Sequence, residues 1–515
     1  MKNILSFVKK HDNIFVLILI ALAMLASVYN VGISNTDEMY NFLNSYKLAN
    51  GLTIYTDNNV IITPLFFYIS SIILKIFGEN IFVFRTLNLI ISSIMFFTCY
   101  IVLKELKVNK RFSLLYTLLI IALISSIIGG GANYTTLAYS FYLLGFLLIL
   151  KMKKGTVKSL VQGLMLFLTF LTYQKLGVAY FIAIIAYEIT NKDIKSLFKE
   201  LLTALVLLLA FLSYLYTQGN LFDFIDYAIL GIGEFGSKNW KAEGNFFSIL
   251  LFLLLPIMTL TAIITTIKAI KSNTNIKMEK LRKEKSSSEK EENNFKKVEE
   301  IKKQILCIFE FSICAYIIVI PILNNYHVYL ASILMIINLM YIIDFLIKPI
   351  IEEKSIKNII NIIILCIIIL LFAYSAKDMW DYAHLINCIP QDSPFYGATI
   401  DPKMRKTIEE VADYVQNNDK NTIVLSTYAP LISLYLNDLD NGDYDLPLRG
   451  NLGSKGEEGL IEQIKELSNT QILLLHETEE EKEIYQFAYD VTKYIKQNYT
   501  YVGQINKFDI YETKK

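Results

Sequence analysis

Charge is in short supply in this sequence. Only 19% of its 515 residues are Asp, Glu, Lys or Arg, while 54% are hydrophobic; a soluble domain carries about 25% and about 45–50%. That scarcity, with a mean hydropathy of +0.42, excludes a disordered chain, a coiled coil and an ordinary soluble enzyme. An excess of one sign is also missing, 49 basic residues standing against 48 acidic, so nothing points to a nucleic-acid partner. Cysteine is rare. Cys99, Cys307, Cys314 and Cys366 sit in apolar runs and Cys388 stands apart, with no CxxC pair and no His at ligand spacing. A disulfide framework and a cysteine-held metal are excluded on that count. No glycine-rich phosphate loop follows any strand-like segment, and Gly450-Asn451-Leu452-Gly453 reads as a turn. The first apolar run, Ile14 to Val31, is followed by no small-residue cleavage site, so it reads as a membrane helix and not as a signal peptide.

Long hydrophobic runs are what the chain has instead. A membrane helix needs about 20 mostly apolar residues. Runs of that kind lie at 14–33, 81–103, 112–129, 133–150, 159–173, 176–190, 200–217, 246–268, 304–322, 328–347 and 358–375, and a twelfth lies at 61–77. Short cytoplasmic loops collect Lys and Arg. The basic connections are Lys9-Lys10, the segments 104–111, 151–158 and 192–199, the long 270–303 stretch, and Lys348 to Lys357. They all fall on one side only if 61–77 does not cross. The expectation is therefore an α-helical polytopic membrane protein of eleven spans, with the N-terminus inside, the C-terminus outside and 61–77 a juxtamembrane helix beginning near Pro64. Twelve spans is the alternative.

Two regions are polar. Segment 270–303, rich in Lys, Glu, Ser and Asn, reads as a solvated, partly helical cytoplasmic loop. The tail 376–515 has ordinary globular composition. Helical patterns at 402–417, 456–468 and 480–497 alternate with β-rich runs at 422–427, 471–475, 499–504 and 508–511. This predicts a small extracytoplasmic α/β domain behind a membrane domain of residues 1–375.

Candidate chemistry gathers on the outer face. Asp37 and Glu38 follow the first span directly, in Ser34-Asn35-Thr36-Asp37-Glu38-Met39-Tyr40. Ionisable groups at a membrane edge are functional candidates, although Asp37 or Thr36 capping a helix over 39–50 is an equal reading. Neighbours in sequence do not share a helix face, so the two acids divide their roles. Arg85, near the outer end of the second span, offers a donor fork suited to phosphate, or else snorkels to headgroups. Asn133 and Tyr134 follow Gly129-Gly130-Gly131, Gln174 and Lys175 join two spans, Glu234 lies in the 218–245 loop, and His327 closes Asn324-Asn325-Tyr326-His327.

The order of these pieces resembles the GT-C type membrane glycosyltransferases, in the branch that holds protein O-mannosyltransferases and the lipid A aminoarabinose transferase. The likeness runs from Asp37-Glu38 and Tyr40 through Pro64-Leu65-Phe66-Phe67-Tyr68, Phe77-Gly78 and Arg85. It extends to Thr172-Tyr173-Gln174-Lys175, Gly231-Ile232-Gly233-Glu234-Phe235 and Pro321 with His327. The resemblance implies a polyprenyl-phosphate-linked sugar donor and transfer with inversion to a hydroxyl of a glycan, lipid or protein. It makes Asp37 the general base and Glu38 its support. Arg85, Lys175 and His327 become phosphate ligands, and Tyr40, Tyr68, Asn133, Tyr134, Gln174 and Glu234 substrate contacts. The chain departs from the branch at Ile61-Ile62-Thr63, where some members have an acid before Pro-Leu, at Gly231-Ile232-Gly233, where some have His, and at Gln174-Lys175, where Thr-Lys-Gln is commoner. These departures argue against a tightly held metal; a divalent metal is not favoured as a cofactor, and metal dependence stays open. A transporter or flippase, and a polysaccharide polymerase or ligase of the cell envelope, are the competing readings. The absence of an internal repeat and of mid-span charge weighs against transport.

Overall fold

The computed structural model describes residues 12–29, 32–33, 36–238, 241–283, 288–351, 389–436, 451–479 and 488–513, with isolated positions between 358 and 380. Helix dominates. In chain order the helices of the membrane part are α1 (Asp12–Tyr29), α2 (Thr36–Ala49), α3 (Leu65–Phe77), α4 (Ile81–Glu105), α5 (Lys110–Ile124), α6 (Tyr134–Lys151), α7 (Thr156–Thr172), α8 (Gln174–Thr190) and α9 (Ile194–Gln218). After α9 a short α10 (Leu221–Phe224), a π-helical turn (Ile225–Leu230) and α11 (Gly231–Lys238) lead to the long α12 (Phe246–Lys283), α13 (Ser288–Ala315) and α14 (Asn325–Ile351). Five of these, α4, α6, α9, the apolar part of α12 and α14, are long and apolar enough to cross a membrane. The predicted 270–303 loop is helical at both ends, as extensions of α12 and α13, and the positions described within the last predicted span, 358–375, are helical.

The packing of these helices is that of a bundle in lipid. Helices α4, α6 and α14 are mostly buried, whereas α9 and α12 are mostly exposed. The exposed side of α9 carries Leu202, Leu205, Val206 and Leu209, an i, i+3, i+4, i+7 stripe that in water would demand a partner. Lipid tails supply one. Small residues set the close contacts inside, as expected where apolar side chains gain nothing by leaving lipid. A Cβ on Gly145 would sit 2.0 Å from the Tyr180 hydroxyl. That hydroxyl donates to Gln162 Oε1, whose amide nitrogen donates back to the Gly145 carbonyl at 3.2 Å. Tyr142, Tyr180 and Phe311 stack edge to face around the same point.

The tail folds as the alternation predicts. Strands β3 (Asn421–Leu425), β4 (Thr470–Leu475), β5 (Thr500–Ile505) and β6 (Phe508–Glu512) form one sheet in the order β3-β4-β6-β5, with β3 and β4 parallel and the rest antiparallel. A two-residue parallel pair, β1 (Lys241–Ala242) with β2 (Ile322–Leu323), lies in the membrane part. Helices α15 (Pro402–Gln416) and α16 (Ala429–Leu436) cover one face of the sheet, and α17 (Gly456–Glu466) and α18 (Tyr489–Asn498) the other. The period-2 rule assigns the faces. Ile472 and Leu474 pack with Leu460 and Val491, while Leu473 and Leu475 pack with Val411 and Ile432. Burial on both faces explains why β4 reads as an unbroken apolar run. Helix α16 is not predicted by the sequence pattern, and 480–487 lies outside the described residues.

The segment before α15 reaches back to the bundle. A helix leaves its first N–H groups without internal acceptors. In α4, Ile81 N–H donates to the Pro394 carbonyl at 2.8 Å, Phe82 N–H to Tyr396 at 2.9 Å, and Val83 N–H to the Asn80 side chain at 3.1 Å. The tail thus caps α4. Gly145→Ala is expected to destabilise the bundle by about 1–3 kcal/mol through overpacking, read as a lower unfolding temperature of the protein in detergent. Gly236→Ala serves as the comparison, because a Cβ there meets nothing within 4 Å and no positive φ is required.

Candidate active site

Helix α2 begins the site. Thr36 opens it, and Asp37 and Glu38 occupy its first turn, where negative charge is favoured by the helix dipole. Residues one apart on a helix diverge by about 100°, and the two acids part company. Glu38 turns into the bundle. Its carboxylate takes both arms of a fork from Arg85, Nε to Oε1 at 2.8 Å and Nη2 to Oε2 at 3.0 Å, while Arg85 Nη1 donates to the Tyr29 carbonyl at 3.3 Å. Both side chains are buried, Arg85 completely.

Asp37 turns the other way, into a cavity of about 280 Å³. It is accessible from the cavity yet surrounded by protein, and that enclosure raises its carboxyl above the ordinary carboxylate range. Tyr40 and Asn41, three and four residues on, share the wall as helical spacing requires.

The opposite walls come from chain ends and loops of the bundle. Gly129-Gly130-Gly131 passes beside Glu38. Asn88 Nδ2 donates to the carbonyls of Ile128 and Gly130 at 3.0 and 2.8 Å and pins this loop. Gly130 has a φ of +80°, and a Cβ on Gly131 would lie 2.7 Å from Glu38 Cγ and Oε1. Asn133 caps α6, accepting from Thr135 N–H at 2.8 Å, and also lines the cavity with Tyr134. A single extended residue, Tyr173, separates α7 from α8, so Lys175 falls in the first turn of α8 and lines the cavity. Its ammonium lies 5.9 and 5.7 Å from the ring centres of Tyr173 and Phe235, within cation–π range. His327 is set by β2: its Nδ1 lies 3.1 Å from the Ile322 carbonyl and its backbone N–H donates to Asn324 Oδ1 at 2.9 Å. A carbonyl only accepts, so Nδ1 carries the proton, leaving Nε2 as the acceptor in the neutral ring.

Of the residues expected from sequence, Asp37, Glu38, Tyr40, Asn133, Tyr134, Lys175 and His327 meet at this one cavity. Arg85 does not line it. Its fork is turned to Glu38 and the Tyr29 carbonyl, where a direct phosphate ligand was expected. Gln174 stands behind the wall, donating to the carbonyls of Ile61 and Ala228 at 3.0 and 2.8 Å. Tyr68 and Glu234 lie away from the lining. The capping role considered for Asp37 gives way to a place inside the first turn. Sequence reasoning passes over Asn41, Glu243 and Asn451, which also line the cavity. For Asn41 a signal existed, its i+4 distance from Asp37; for Asn451, in the predicted turn of the tail, none did. Among the described residues no three of His, Cys, Asp and Glu gather as a metal site, so no step is routed through a metal.

No protein-family model and no curated protein matches the sequence. Solved structures do match. ArnT from Cupriavidus metallidurans, bound to undecaprenyl phosphate, aligns over 97% of this chain and 97% of its own with a TM-score of 0.55 at 9% identity. The oligosaccharyltransferase AglB from Archaeoglobus fulgidus, in complex with an inhibitory peptide and a dolichol-phosphate, aligns over 97% of this chain and 74% of its own, with a TM-score of 0.51 at 12% identity. These are structures of GT-C glycosyltransferases. The chain has the GT-C fold. At such identities the likeness concerns architecture, and within the GT-C fold this chain's own residues carry the functional argument.

Removing one member of a buried ion pair costs about 3–5 kcal/mol. Arg85→Met is therefore expected to destabilise the protein by that order, while Arg85→Lys, which keeps the charge and loses the fork, destabilises it less. Gly131→Ala, displacing Glu38, is expected to mimic the partial loss. Thermal unfolding of the three variants in detergent checks the order.

Proposed function

We propose that the protein is a membrane glycosyltransferase that moves a sugar from a polyprenyl-phosphate carrier to an acceptor hydroxyl on the outer face of the membrane, with inversion. The observation that carries this reading is Asp37, enclosed with a raised pKa in a cavity that Lys175 and His327 also line. The GT-C fold supports it, as do the undecaprenyl and dolichol phosphates bound by the two similar structures.

The chemistry balances with these groups. The acceptor oxygen attacks the anomeric carbon as Asp37 takes its proton. The bond from the anomeric carbon to the phosphate oxygen breaks, and the electron pair leaves with the lipid phosphate. Charge grows on that phosphate in the transition state, so fixed cations lower the barrier there. Lys175 supplies the ammonium, while His327, its Nδ1 proton held by the Ile322 carbonyl, presents Nε2 as an acceptor and adds no cation. A base works best with a pKa raised toward the operating pH, and enclosure does this for Asp37. Glu38 and Arg85 act at one remove, by fixing the first turn of α2 and with it the direction of Asp37. Tyr40, Asn133 and Tyr134 are substrate contacts in this reading. Tyr68, Gln174 and Glu234 serve as supports behind the wall. In the same reading the cavity opens outward, the basic loops lie inside, and residues 376–515 form the outer domain.

Asp37→Asn is expected to abolish transfer from a polyprenyl-phosphoryl sugar to the membrane acceptor, by about 10²–10⁴-fold as for loss of a general base. Folding should be unimpaired, since the Glu38–Arg85 pair is untouched. Full activity in this variant would remove Asp37 from the role. For the wild type, the rate should fall as pH drops through the raised pKa of Asp37, because protonation removes the base. The acid limb should therefore lie above the value of about 4 usual for Asp; a limb at or below that value contradicts the enclosure argument.

A further inference from the structure

Most polar groups in the cavity wall have protein partners. Tyr40 Oη donates to the Asn59 carbonyl at 2.8 Å, Tyr326 Oη bonds with Thr136 Oγ1 at 2.7 Å, and the Asn133 side chain caps α6. Asn41 differs. It is completely buried, and neither its Oδ1 nor its Nδ2 has a hydrogen-bond partner among the described residues. Buried side-chain amides are nearly always bonded, because each orphaned donor or acceptor costs about 1–3 kcal/mol. In a gap of the apolar core such an Asn would be only a cost. Here it lines the same cavity as Asp37, one helical turn further along α2.

We propose that Asn41 is a substrate-reading residue, whose amide donates to one hydroxyl and accepts from another on the sugar ring that Asp37 serves. The proposal rests on the glycosyl-transfer reading above and deepens it by naming a group that recognises the sugar and not the phosphate. A neutral amide suits this role, because its donor face and its acceptor face match adjacent ring hydroxyls. It brings no charge that would perturb Asp37. No hydrogen bond holds the amide in its present rotamer, so turning it toward a ligand breaks none. The i+4 spacing ties it to the base, so the hydroxyls it reads lie about one helical rise, roughly 6 Å, from the reacting oxygen. Asn451, from the tail, lines the cavity too and is largely buried, which makes a second amide available to the same ring.

The test uses the full-length protein in nanodiscs and the variants Asn41→Leu, close in size and apolar, and Asn41→Ala. Binding is measured for undecaprenyl phosphate and for undecaprenyl phosphate carrying mannose, glucose, arabinose or N-acetylglucosamine. The envelope product is followed by mass spectrometry in cells carrying each variant. Wild type should bind one glycosylated lipid more tightly than the bare one. Both variants should lose roughly tenfold of that preference while binding undecaprenyl phosphate as before, with a melting temperature unchanged or higher because an orphaned polar group has gone. Retained preference with a product yield lowered roughly tenfold would place the amide on the acceptor's hydroxyls, the same chemistry from the other substrate. Retained preference with unchanged product would overturn the proposal and leave Asn41 holding water alone. A wild type that prefers no glycosylated lipid would overturn the donor reading itself, whatever the variants do.

Discussion

The site depends on one buried ion pair. Taking Glu38 and Arg85 out of water is costly, and attraction in the dry interior offsets that cost only with good geometry and no leftover donors. The bidentate fork and the third bond to the Tyr29 carbonyl meet this condition. Three separate pieces of chain are joined there: the end of α1, the first turn of α2 and the N-terminal part of α4. Because the pair is all-or-none, α2 has one orientation. That orientation decides which acid is buried on Arg85 and which is accessible from the cavity, since exchanging them would bury Asp37 without a cation.

The same pair accounts for Gly131 among the three glycines that precede α6, whereas at Gly129 a Cβ would meet the Ser27 carbonyl at 2.0 Å. The 129–131 backbone passes within contact of the Glu38 side chain, and a Cβ on Gly131 would occupy the carboxylate's space. Asn88 holds that backbone from α4, three residues after Arg85, so a single helix supplies both the cation and the loop clamp. Ordinary helical periodicity puts Arg85 and Asn88 on one face. The result is a wall fixed by hydrogen bonds beside the first turn of α2, the kind of fixed geometry that the proposed transfer asks of a scaffold.

How much of this is legible in the chain differs by kind of residue. The apolar runs announce themselves, because lipid demands about 20 apolar residues wherever a helix crosses, and α4, α9 and α14 fall where the runs do. The alternation in the tail is legible for the same reason, burial imposing a period. Asp37 and Glu38 stand out because acids are scarce beside a span. What sequence does not carry is direction. Arg85 looks like a phosphate ligand from its type and its depth, and only the rotation of α4 shows that its fork meets Glu38. Gln174 is next to Lys175, yet one helical step sends it behind the wall to clamp the carbonyls of Ile61 and Ala228. Asn451 is invisible for a different reason: its partners in space come from the far end of the chain.

That last distance bears on the tail. A lid with no share in the site would touch the bundle at its rim alone. Besides the packing of Leu431 and Leu434 of α16 in the bundle core, the tail makes three contacts through loops and chain ends. It caps the start of α4 through Pro394 and Tyr396, four residues before Arg85. It pairs backbone with the exit of α1, Ile33 N–H donating to the Thr399 carbonyl at 2.7 Å. It docks on the segment after α9, where Ser454 donates to Asp226 and a Cβ on Gly231 would lie 3.1 Å from Gly453. The first two contacts brace the elements that the Glu38–Arg85 pair joins, and the third brings Asn451 into the cavity wall. Loosening the tail would therefore disturb the orientation of Asp37 and open one side of the cavity together, which couples the tail to the first turn of α2.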